Sequence, residues 1–520
     1  MNLGERAARL RGSPLVLAVC TGLVGGVGVA FLGNAISPML GVAAVVAAGV
    51  TAYFLRFPTL ALYALAFSVP VERFGRISDD TSAFTLSVTR GVGLLSLAAL
   101  VPVLVMGRRR PFVNGPLGWW CAFVAVGLLT LTYTSDLTPG VRIAGGHLGN
   151  ILFMFTVMNL AMSDSVEESR RRSRIAILLW LLASTLVALY SIYDWHYGSG
   201  QTGGIPISET DPQAGAQLAE FRWSTVWIDS AEKETLGGLS IRRSMGSTSH
   251  AAVFGINLIM TIPFFFYLIR HCASRWIKWV MWAGLAASMY CVLLTNTRAT
   301  LALAVGILGL CVILRLVRIT PVFIIGGIAA ALAAPFFLPE DIFERVLDLR
   351  NYQTSKSQAM SIRLEYWGAG LRAIADHWVM GNGLANQRVV LDYLEHPFEG
   401  KSHMHNIYLQ TLMDVGVFGW GLFLMFLAST VRCCTRARRI FVTAGNKEDA
   451  DMLTSALVMM IGVLIYGLQV DVFFFPLKGW WMVLGLVYVM ARHGQLLVAE
   501  RDAALRTADA ITATASPAGA

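Results

Sequence analysis

The fold of this chain is decided by stretches such as residues 251–269, which read AAVFGINLIMTIPFFFYLI. No charged residue interrupts this stretch, and Arg270 follows it directly. A helix needs about 20 predominantly apolar residues to cross the hydrocarbon core of a bilayer. Residues 251–269 therefore predict one transmembrane helix, and similar stretches recur along most of the chain.

The composition of the whole chain agrees with this interpretation. Of its 520 residues, 56% are hydrophobic and 14% are charged, whereas soluble domains carry about 25% charged residues. The apolar residues suffice for about 14 segments of 20 residues, which excludes most soluble folds and a disordered chain. We predict an all-α polytopic membrane protein with about 14 transmembrane helices.

The predicted spans are residues 14–32, 36–55, 57–71, 86–106, 117–134, 142–162, 175–193, 251–269, 277–294, 300–317, 321–338, 406–430, 452–470 and 476–492. The third of these is short, and both a full crossing and a re-entrant segment remain open for it. The first follows three arginines and leads straight into the second, which favours a signal anchor over a cleaved signal peptide.

The spans divide the chain into six regions. These are N-terminal transmembrane helices (1–194), a first long loop (195–250), central transmembrane helices (251–338), a second long loop (339–404), C-terminal transmembrane helices (405–492) and a tail (493–520). The tail is rich in alanine and small polar residues, so we expect it to be partly disordered.

The second long loop contains its own helical pattern. Apolar residues recur there at helical spacing from Leu364 to Trp378, with charged residues between them. This pattern predicts an amphipathic helix that lies at the membrane interface with its tryptophans towards the membrane.

The formal charge of +9 indicates how the chain is oriented in the membrane. The arginines and lysines fall in alternate short loops, around residues 6–11, 56, 108–110, 170–174, 270–278, 315–318 and 432–447. Because cytoplasmic loops carry this excess, we predict that these loops, the tail and both termini are cytoplasmic. The long loops then lie on the opposite side. Nucleic-acid binding requires a basic patch on a folded surface, and this distribution argues against it.

Arg298 is hard to explain by topology, because it lies between two spans on the side where positive charge should be scarce. One interpretation is an arginine that reaches to lipid head groups. The other is an anion contact at the mouth of the helix bundle, because ionisable residues near membrane depth mark substrate pathways. Both interpretations remain open from the residues alone.

A second polar group begins where the second long loop enters a span. His403 and His405 precede Asn406, and Gln410 and Asp414 follow at intervals of four residues. If the segment is already helical, Asn406, Gln410 and Asp414 form one polar stripe, and His405 lies on the adjoining ridge. Such a stripe faces protein or water and indicates either a helix-packing network or a functional site. A metal site is disfavoured, because His-x-His alone is weak and no nearby cysteine or acidic pair completes it.

Arginine outnumbers lysine in the two long loops. The guanidinium fork binds phosphate through two parallel bonds, where lysine offers a point charge. The arginines that we select as candidate substrate contacts are Arg242, Arg243, Arg363 and Arg372. His403, Asn406 and Asp414 complete the set of predicted substrate-binding residues. By contrast, Asp449-Ala450-Asp451 is a literal D-x-D in a cytoplasmic loop, and we interpret it as a solvated charge run.

Four of these segments together resemble the O-antigen ligase and O-antigen polymerase family. Residues 405–419 are similar to its pattern H-N-x-x-L, an acidic residue and then G-x-x-G, and residues 363–383 to its R…W…G-x-G stretch. Thr297-Arg298-Ala299 is similar to its Ser-Arg-Gly-like turn, with Thr and Ala replacing the usual Ser and Gly. Residues 243–246 resemble its R-x-x-G entry into a span, and Arg372 with Gly383 fits an R-x10-G spacing described for the polymerases.

The resemblance implies a glycosyltransferase of the GT-C class in the bacterial inner membrane. Such enzymes move glycans from undecaprenyl diphosphate to an acceptor hydroxyl at the periplasmic face, without a nucleotide sugar, cofactor or metal. The implied partners are the lipid-linked glycan, an acceptor glycan, and chain-length regulator or flippase proteins.

The candidate residues make independent physical sense of this chemistry. Fixed cations such as Arg298, with Arg243 or Arg363, would offset the charge that grows on the leaving diphosphate. Imidazole titrates near neutral pH and suits a general base, a role we give to His405, oriented by Asn406 and Asp414.

Two long loops with arginines favour a polymerase of repeat units for O-antigen or exopolysaccharide. A ligase that transfers the glycan to lipid A-core is the alternative, and a lipid-glycan transporter is a second alternative. A transporter would require paired charges deep in several spans and symmetry between halves, and neither is evident.

Overall fold

The computed structural model describes residues 49–71, 88–106, 110–135, 137–197, 231–236, 239–248, 250–317, 356–386, 388–394, 404–470 and 477–515. The first five helices within these residues are α1 (Pro58–Ser68), α2 (Val88–Met106), α3 (Gly115–Thr130), α4 (Leu137–Ala161) and α5 (Val166–Tyr197). Strands β1 (Ala231–Leu236) and β2 (Leu239–Ser244) follow, and then α6 (Ala251–His271), α7 (Arg275–Leu294) and α8 (Arg298–Ile313). The remaining helices are α9 (Lys356–Asp376), α10 (Arg388–Asp392), α11 (Ile407–Thr443), α12 (Lys447–Tyr466) and α13 (Lys478–Ala515).

Within the described residues, seven helices are long and apolar enough to cross a membrane. An eighth crossing results if Gly49–Arg56 and Pro58–Val71, which meet at a bend of 120°, count as one span. Helices α2, α3 and α8 are apolar but shorter. The chain is therefore an all-α polytopic membrane protein, and the number 14 stays a prediction. The predicted spans 14–32 and 321–338 lie outside the described residues.

The bend at Phe57 bears on the short third span. Pro58 begins α1 directly after it, and the residue before a proline is disfavoured in helical conformation. The break therefore follows from the sequence. It divides residues 49–71 into two helical segments, which form either one broken crossing or a re-entrant segment.

Helix α6 occupies the centre of the bundle, with almost all of its apolar stretch buried. It packs against α7, α8 and α12, and α11 packs against α3, α12 and α13. Large aromatic side chains join α3, α11 and α13, where the Trp120 ring lies 4.8 Å from the rings of Phe426 and Trp481. Burial of such rings contributes to helix packing mainly through close van der Waals contact, because lipid tails are as apolar as the core.

The basic loops meet at one end of these helices. The Arg170 guanidinium on α5 donates to Asp449 on α12 (2.7 Å from Nη2 to Oδ2), and Arg174 pairs with Glu448 at 2.9 Å. Asp451 accepts from Arg270 and His271 at the end of α6. The interpretation of Asp449-Ala450-Asp451 as a solvated charge run was wrong. These carboxylates lie in the first turns of α12, against α5 and α6, and Asp449 is buried.

Three further expectations differ from the structure. The first long loop contains the antiparallel pair β1–β2, in which Arg243 lies opposite Glu232. The tail does not become irregular at residue 493, because α13 continues to Ala515 through residues such as Ala, Leu, Arg and Glu that favour helix. The amphipathic helix exists as α9. Its tryptophans do not both face outwards as predicted, because Trp367 packs against a buried apolar cluster whereas Trp378 is exposed.

Candidate functional site

The end of the bundle opposite the basic loops brings together the starts of α6, α8 and α11 and the end of α12. The Ile407 amide donates to the Gly467 carbonyl at 2.9 Å, and the Tyr408 hydroxyl donates to the Leu464 carbonyl at 2.8 Å. The Tyr466 hydroxyl donates to the Ala252 carbonyl at 3.3 Å. These bonds fix the entry of α11 against its neighbours, so residues around 405 have a defined position.

Arg243 lies at the end of β2 and is 8% exposed. Its Nε donates to the Thr295 carbonyl at 3.3 Å, and its Nη2 donates to the Thr297 hydroxyl at 2.8 Å. Thr297 is the residue before Arg298, which begins α8. The structure therefore brings two of the predicted arginines into adjacent positions, although 55 residues separate them in sequence.

Threonine hydroxyls stabilise the turn that Arg243 contacts. Thr297 Oγ1 donates to the Thr295 carbonyl at 3.0 Å, and Thr300 Oγ1 donates to the Thr297 carbonyl at 2.6 Å. Asn296 has a φ of 47°, a left-handed conformation that asparagine tolerates better than most residues. Arg298, half-buried, follows as the first residue of α8. The N-terminus of a helix carries a partial positive charge, which adds to that of the two arginines.

Arg363 reaches the same end of the bundle through α9. Both Arg363 and Arg243 lie within electrostatic range of the Tyr466 hydroxyl. One turn after Arg363, the Trp367 indole donates to the Met404 carbonyl at 2.7 Å. Helix α9 is therefore fixed to the residue immediately before His405.

His405 lies outside helix α11, with a φ of 49°. The condition under which it would lie on a helical ridge beside the polar stripe is not met, because α11 begins only at Ile407. A left-handed conformation costs roughly 1–2 kcal/mol for a residue with a side chain, and such residues cluster at functional sites. The half-buried His405 side chain is thus positioned by its backbone, between Met404 and the start of α11.

The predicted polar stripe after His405 has structural roles. The Asn406 side chain caps α11, accepting from the amides of Tyr408 and Leu409 at 3.0 and 3.2 Å. Asp414 accepts from Gln410 Nε2 at 2.9 Å and from the Ala385 amide at 3.0 Å. Asp414 lies about 12 Å along the helix from Asn406, so it acts on the loop after α9 and away from His405.

Helix α11 changes direction just after Asp414. Gly416 has a φ of 63° and a ψ of −172°, which is accessible essentially to glycine alone. A Cβ atom on the neighbouring Gly381 would lie 2.5 Å from the Gly416 nitrogen. The loop after α9 therefore packs backbone against backbone at this break.

The other candidates lie apart from this cluster. Arg372 is exposed and donates to the Tyr393 carbonyl at 2.7 Å, about 13 Å along α9 from Arg363. The Tyr393 hydroxyl donates to Asp376, and this bond raises the pKa of the tyrosine. Arg242 lies in β2 opposite Lys233, and His403 lies outside the described residues.

The candidate residues at this end are Arg243, Arg298, Arg363 and His405, and the Tyr466 hydroxyl lies within electrostatic range of Arg243 and Arg363. Sequence reasoning identified the turn at Thr297 but missed its bond to Arg243. It also missed Tyr466, because a tyrosine at the end of a span carries no distinctive pattern. Across the described parts of the chain, no three His, Cys, Asp or Glu side chains are grouped so that they could hold a metal ion.

The comparison with known families adds an independent observation. Residues 283–424 match the family model described as O-antigen ligase. This range includes Arg298, Arg363, His405 and Asp414, and leaves Arg243 outside it. No curated protein matches the chain. The predicted resemblance is confirmed: residues 283–424 of this membrane protein are similar to the O-antigen ligase family.

Proposed function

We propose that this protein transfers a glycan from a lipid diphosphate carrier to an acceptor hydroxyl, at the periplasmic face of a bacterial inner membrane. The proposal assigns it the GT-C class and undecaprenyl diphosphate as the carrier. The observation that supports it is the bond from Arg243 to Thr297, the residue next to Arg298, at the end of the bundle that holds His405.

Donor cleavage requires stabilisation of the leaving diphosphate. As the bond from the anomeric carbon to the phosphate oxygen breaks, the oxygen keeps the electron pair and becomes more negative. Arg243, Arg298 and the N-terminus of α8 supply fixed positive charge there, and Arg363 adds to it from α9. Donors that are already oriented need no rearrangement when the charge develops.

Acceptor activation requires removal of a proton. The acceptor hydroxyl oxygen attacks the anomeric carbon, and its proton passes to a neutral ring nitrogen of His405. The backbone around His405 is fixed on both sides, by Trp367 through the Met404 carbonyl and by the Asn406 cap. In this proposal, these bonds keep the backbone of His405 in place at the end of the bundle where the arginines lie.

The exposed face of α9 suits a substrate whose lipid tail stays in the bilayer. Leu364 and Leu371, two turns apart, and Trp378 just beyond the helix are each more than half exposed. The opposite face packs Tyr366, Ala369 and Ala373 in a separate apolar cluster. An amphipathic helix of this kind lies in the membrane interface, which would keep Arg363 at head-group depth.

The proposed form of the reaction is polymerisation of repeat units for O-antigen or exopolysaccharide, suggested by the two long arginine-bearing loops. The family description favours the second candidate, a ligase acting on lipid A-core. Deletion of the gene separates them. Single repeats on the lipid core would indicate a polymerase, and long chains left on the carrier would indicate a ligase. Loss of secreted polymer alone would indicate an exopolysaccharide polymerase.

The test of the chemistry replaces His405. Asparagine tolerates the left-handed backbone, so His405→Asn removes the base with little strain. Loss of general base catalysis should slow glycan transfer by about 100-fold or more. The exposed His377 near the end of α9 provides the matched control, and His377→Asn should transfer glycan at the normal rate. Normal transfer by His405→Asn, measured at equal protein level in membranes, would refute the assignment.

A further inference from the structure

A cleft of about 780 Å³ opens at the end of the bundle opposite His405. It lies between the ends of α6, α8 and α11 and the start of α12. These are the same four helices whose other ends meet at the candidate site. The cleft and the site are therefore separated by the full length of the bundle.

Positive charge dominates the lining of this cleft. The described lining residues include Arg270, Arg315, Arg438 and Lys447 against a single carboxylate, Asp451. Asp451 already accepts from Arg270 at 3.2 Å, and also from His271, which lies beside the cleft. Asp451 is thus paired with Arg270 and His271, and Arg315, Arg438 and Lys447 are the other cations on the lining of the cleft.

Two of these cations are held in position. Arg438 Nε donates to the Thr454 hydroxyl at 2.8 Å, which fixes the plane of its guanidinium. Arg270 Nη1 donates to the Arg315 carbonyl at 3.0 Å, and Arg315 has a φ of 61°. Cations that are ordered before a ligand arrives lose less entropy when it binds.

The remaining wall of the cleft is apolar. It is lined by Val312, Leu314 and Val317, at or just after the end of α8, and by Val442 on α11. Val442, and Ile313 beside the cleft, are more than half exposed, so the apolar wall continues onto the outside of the bundle. A small soluble anion would gain nothing from such a wall, whereas a molecule with a phosphate head and acyl chains matches both parts.

We propose that this cleft binds the phosphodiester head group of an anionic membrane phospholipid. Basic pockets between transmembrane helices on the cytoplasmic side are suited to anionic head groups, and the arginine-bearing loops at this end are the ones predicted to be cytoplasmic. The bound lipid bridges α8, α11 and α12, and its acyl chains lie along the end of α8. Binding at this cleft is independent of glycan transfer at the opposite end.

The test uses the full chain in an uncharged detergent. Phosphatidylglycerol and phosphatidylcholine with the same acyl chains are titrated separately, and native mass spectrometry counts the lipid retained. The wild-type protein should retain phosphatidylglycerol preferentially. Arg438→Gln with Lys447→Gln should weaken its binding by about 25-fold, or about five-fold for each basic side chain removed near the head group.

The matched control removes the same number of charges close to the cleft, both from the end of α11. Arg436 and Arg439 are exposed and are not among the lining residues, so Arg436→Gln with Arg439→Gln should change the affinity by no more than about two-fold. If the test variant does not accumulate, Lys447→Gln alone, at an exposed position, should still weaken binding about five-fold. Equal retention of the two lipids, or an equal loss in the control variant, would overturn the proposal.

A soluble competitor shows whether the cleft binds the phosphate of a lipid or that of a soluble compound. Glycerol 1-phosphate carries a phosphate head without acyl chains, and it should fail to displace phosphatidylglycerol at millimolar concentration. Displacement at concentrations comparable to those of the lipid would assign the cleft to a soluble phosphate compound and refute the lipid proposal.

Discussion

Replacement of Arg243 by lysine tests the geometry at the core of the candidate site. The arginine fork donates to two different acceptors, the Thr295 carbonyl and the Thr297 hydroxyl. Lysine keeps the charge but presents one compact ammonium in place of the planar fork. Loss of one hydrogen bond from a charged group costs about 1.5–3 kcal/mol. If the turn before Arg298 must be held for transfer, the rate should fall about 10- to 100-fold.

A double-mutant cycle separates this positioning role from a general loss of charge. Thr297→Val removes the acceptor of Arg243 Nη2, along with the bond from Thr297 to the Thr295 carbonyl. Loss of the bond from Thr297 to the Thr295 carbonyl has the same effect whether residue 243 is arginine or lysine, so it cancels in the cycle. Because the two changes remove one shared interaction, their effects on transfer should overlap by about 0.5–3 kcal/mol.

The control cycle uses an arginine that the structure places elsewhere. Arg372 donates to the Tyr393 carbonyl and is exposed, so Arg372→Lys and Thr297→Val should be additive within about 0.5 kcal/mol. The assay measures glycan transferred from a lipid-linked donor in membranes containing equal amounts of protein. Additivity between Arg243→Lys and Thr297→Val would refute the claim that their bond positions the site.

Two further predictions concern the backbone around the site. Gly416→Ala should destabilise the protein by about 1–3 kcal/mol, because its left-handed backbone packs against the loop after α9. Gly421→Ala on the same helix meets open space, and its thermal unfolding in detergent should match the wild type. Trp367→Phe removes the bond to the Met404 carbonyl and should reduce the rate of transfer by roughly five-fold or more, at unchanged protein level. Trp378→Phe keeps an exposed aromatic ring just beyond α9 and should leave the rate unchanged. Equal effects of the two tryptophan variants would contradict the anchoring role of Trp367.

Many of the membrane-spanning helices could be predicted from the sequence, because an uninterrupted apolar stretch of this length has few structural alternatives to a transmembrane helix. The central helix α6 begins at Ala251, as predicted, and α8 begins at Arg298, close to the predicted boundary. The family resemblance carried by residues 405–419 is also confirmed. These features depend on local composition and on motif order, which a single sequence displays directly.

The parts that escaped prediction depend on contacts between distant segments. The bond from Arg243 to Thr297 joins β2 to the start of α8, and no spacing rule connects the two. Asp449 is buried because Arg170, 279 residues earlier, pairs with it. The backbone of His405 departs from helix because Asn406 caps α11 one residue later, a boundary too fine for periodicity to resolve.

The segment from Trp378 to Asn386 limits where residues can be inserted into or deleted from this chain. The Val417 amide donates to the Trp378 carbonyl, and the amides of Asn382 and Gly383 donate to carbonyls beside the break in α11. The Leu384 amide donates to Thr130 on α3. Tolerance of insertions depends on the burial and hydrogen bonding of the backbone they interrupt. One added residue here would shift every later amide of this segment away from its acceptor. We therefore expect the length of this connection to be fixed. Variation in the length of the second long loop is therefore not expected between Trp378 and Asn386.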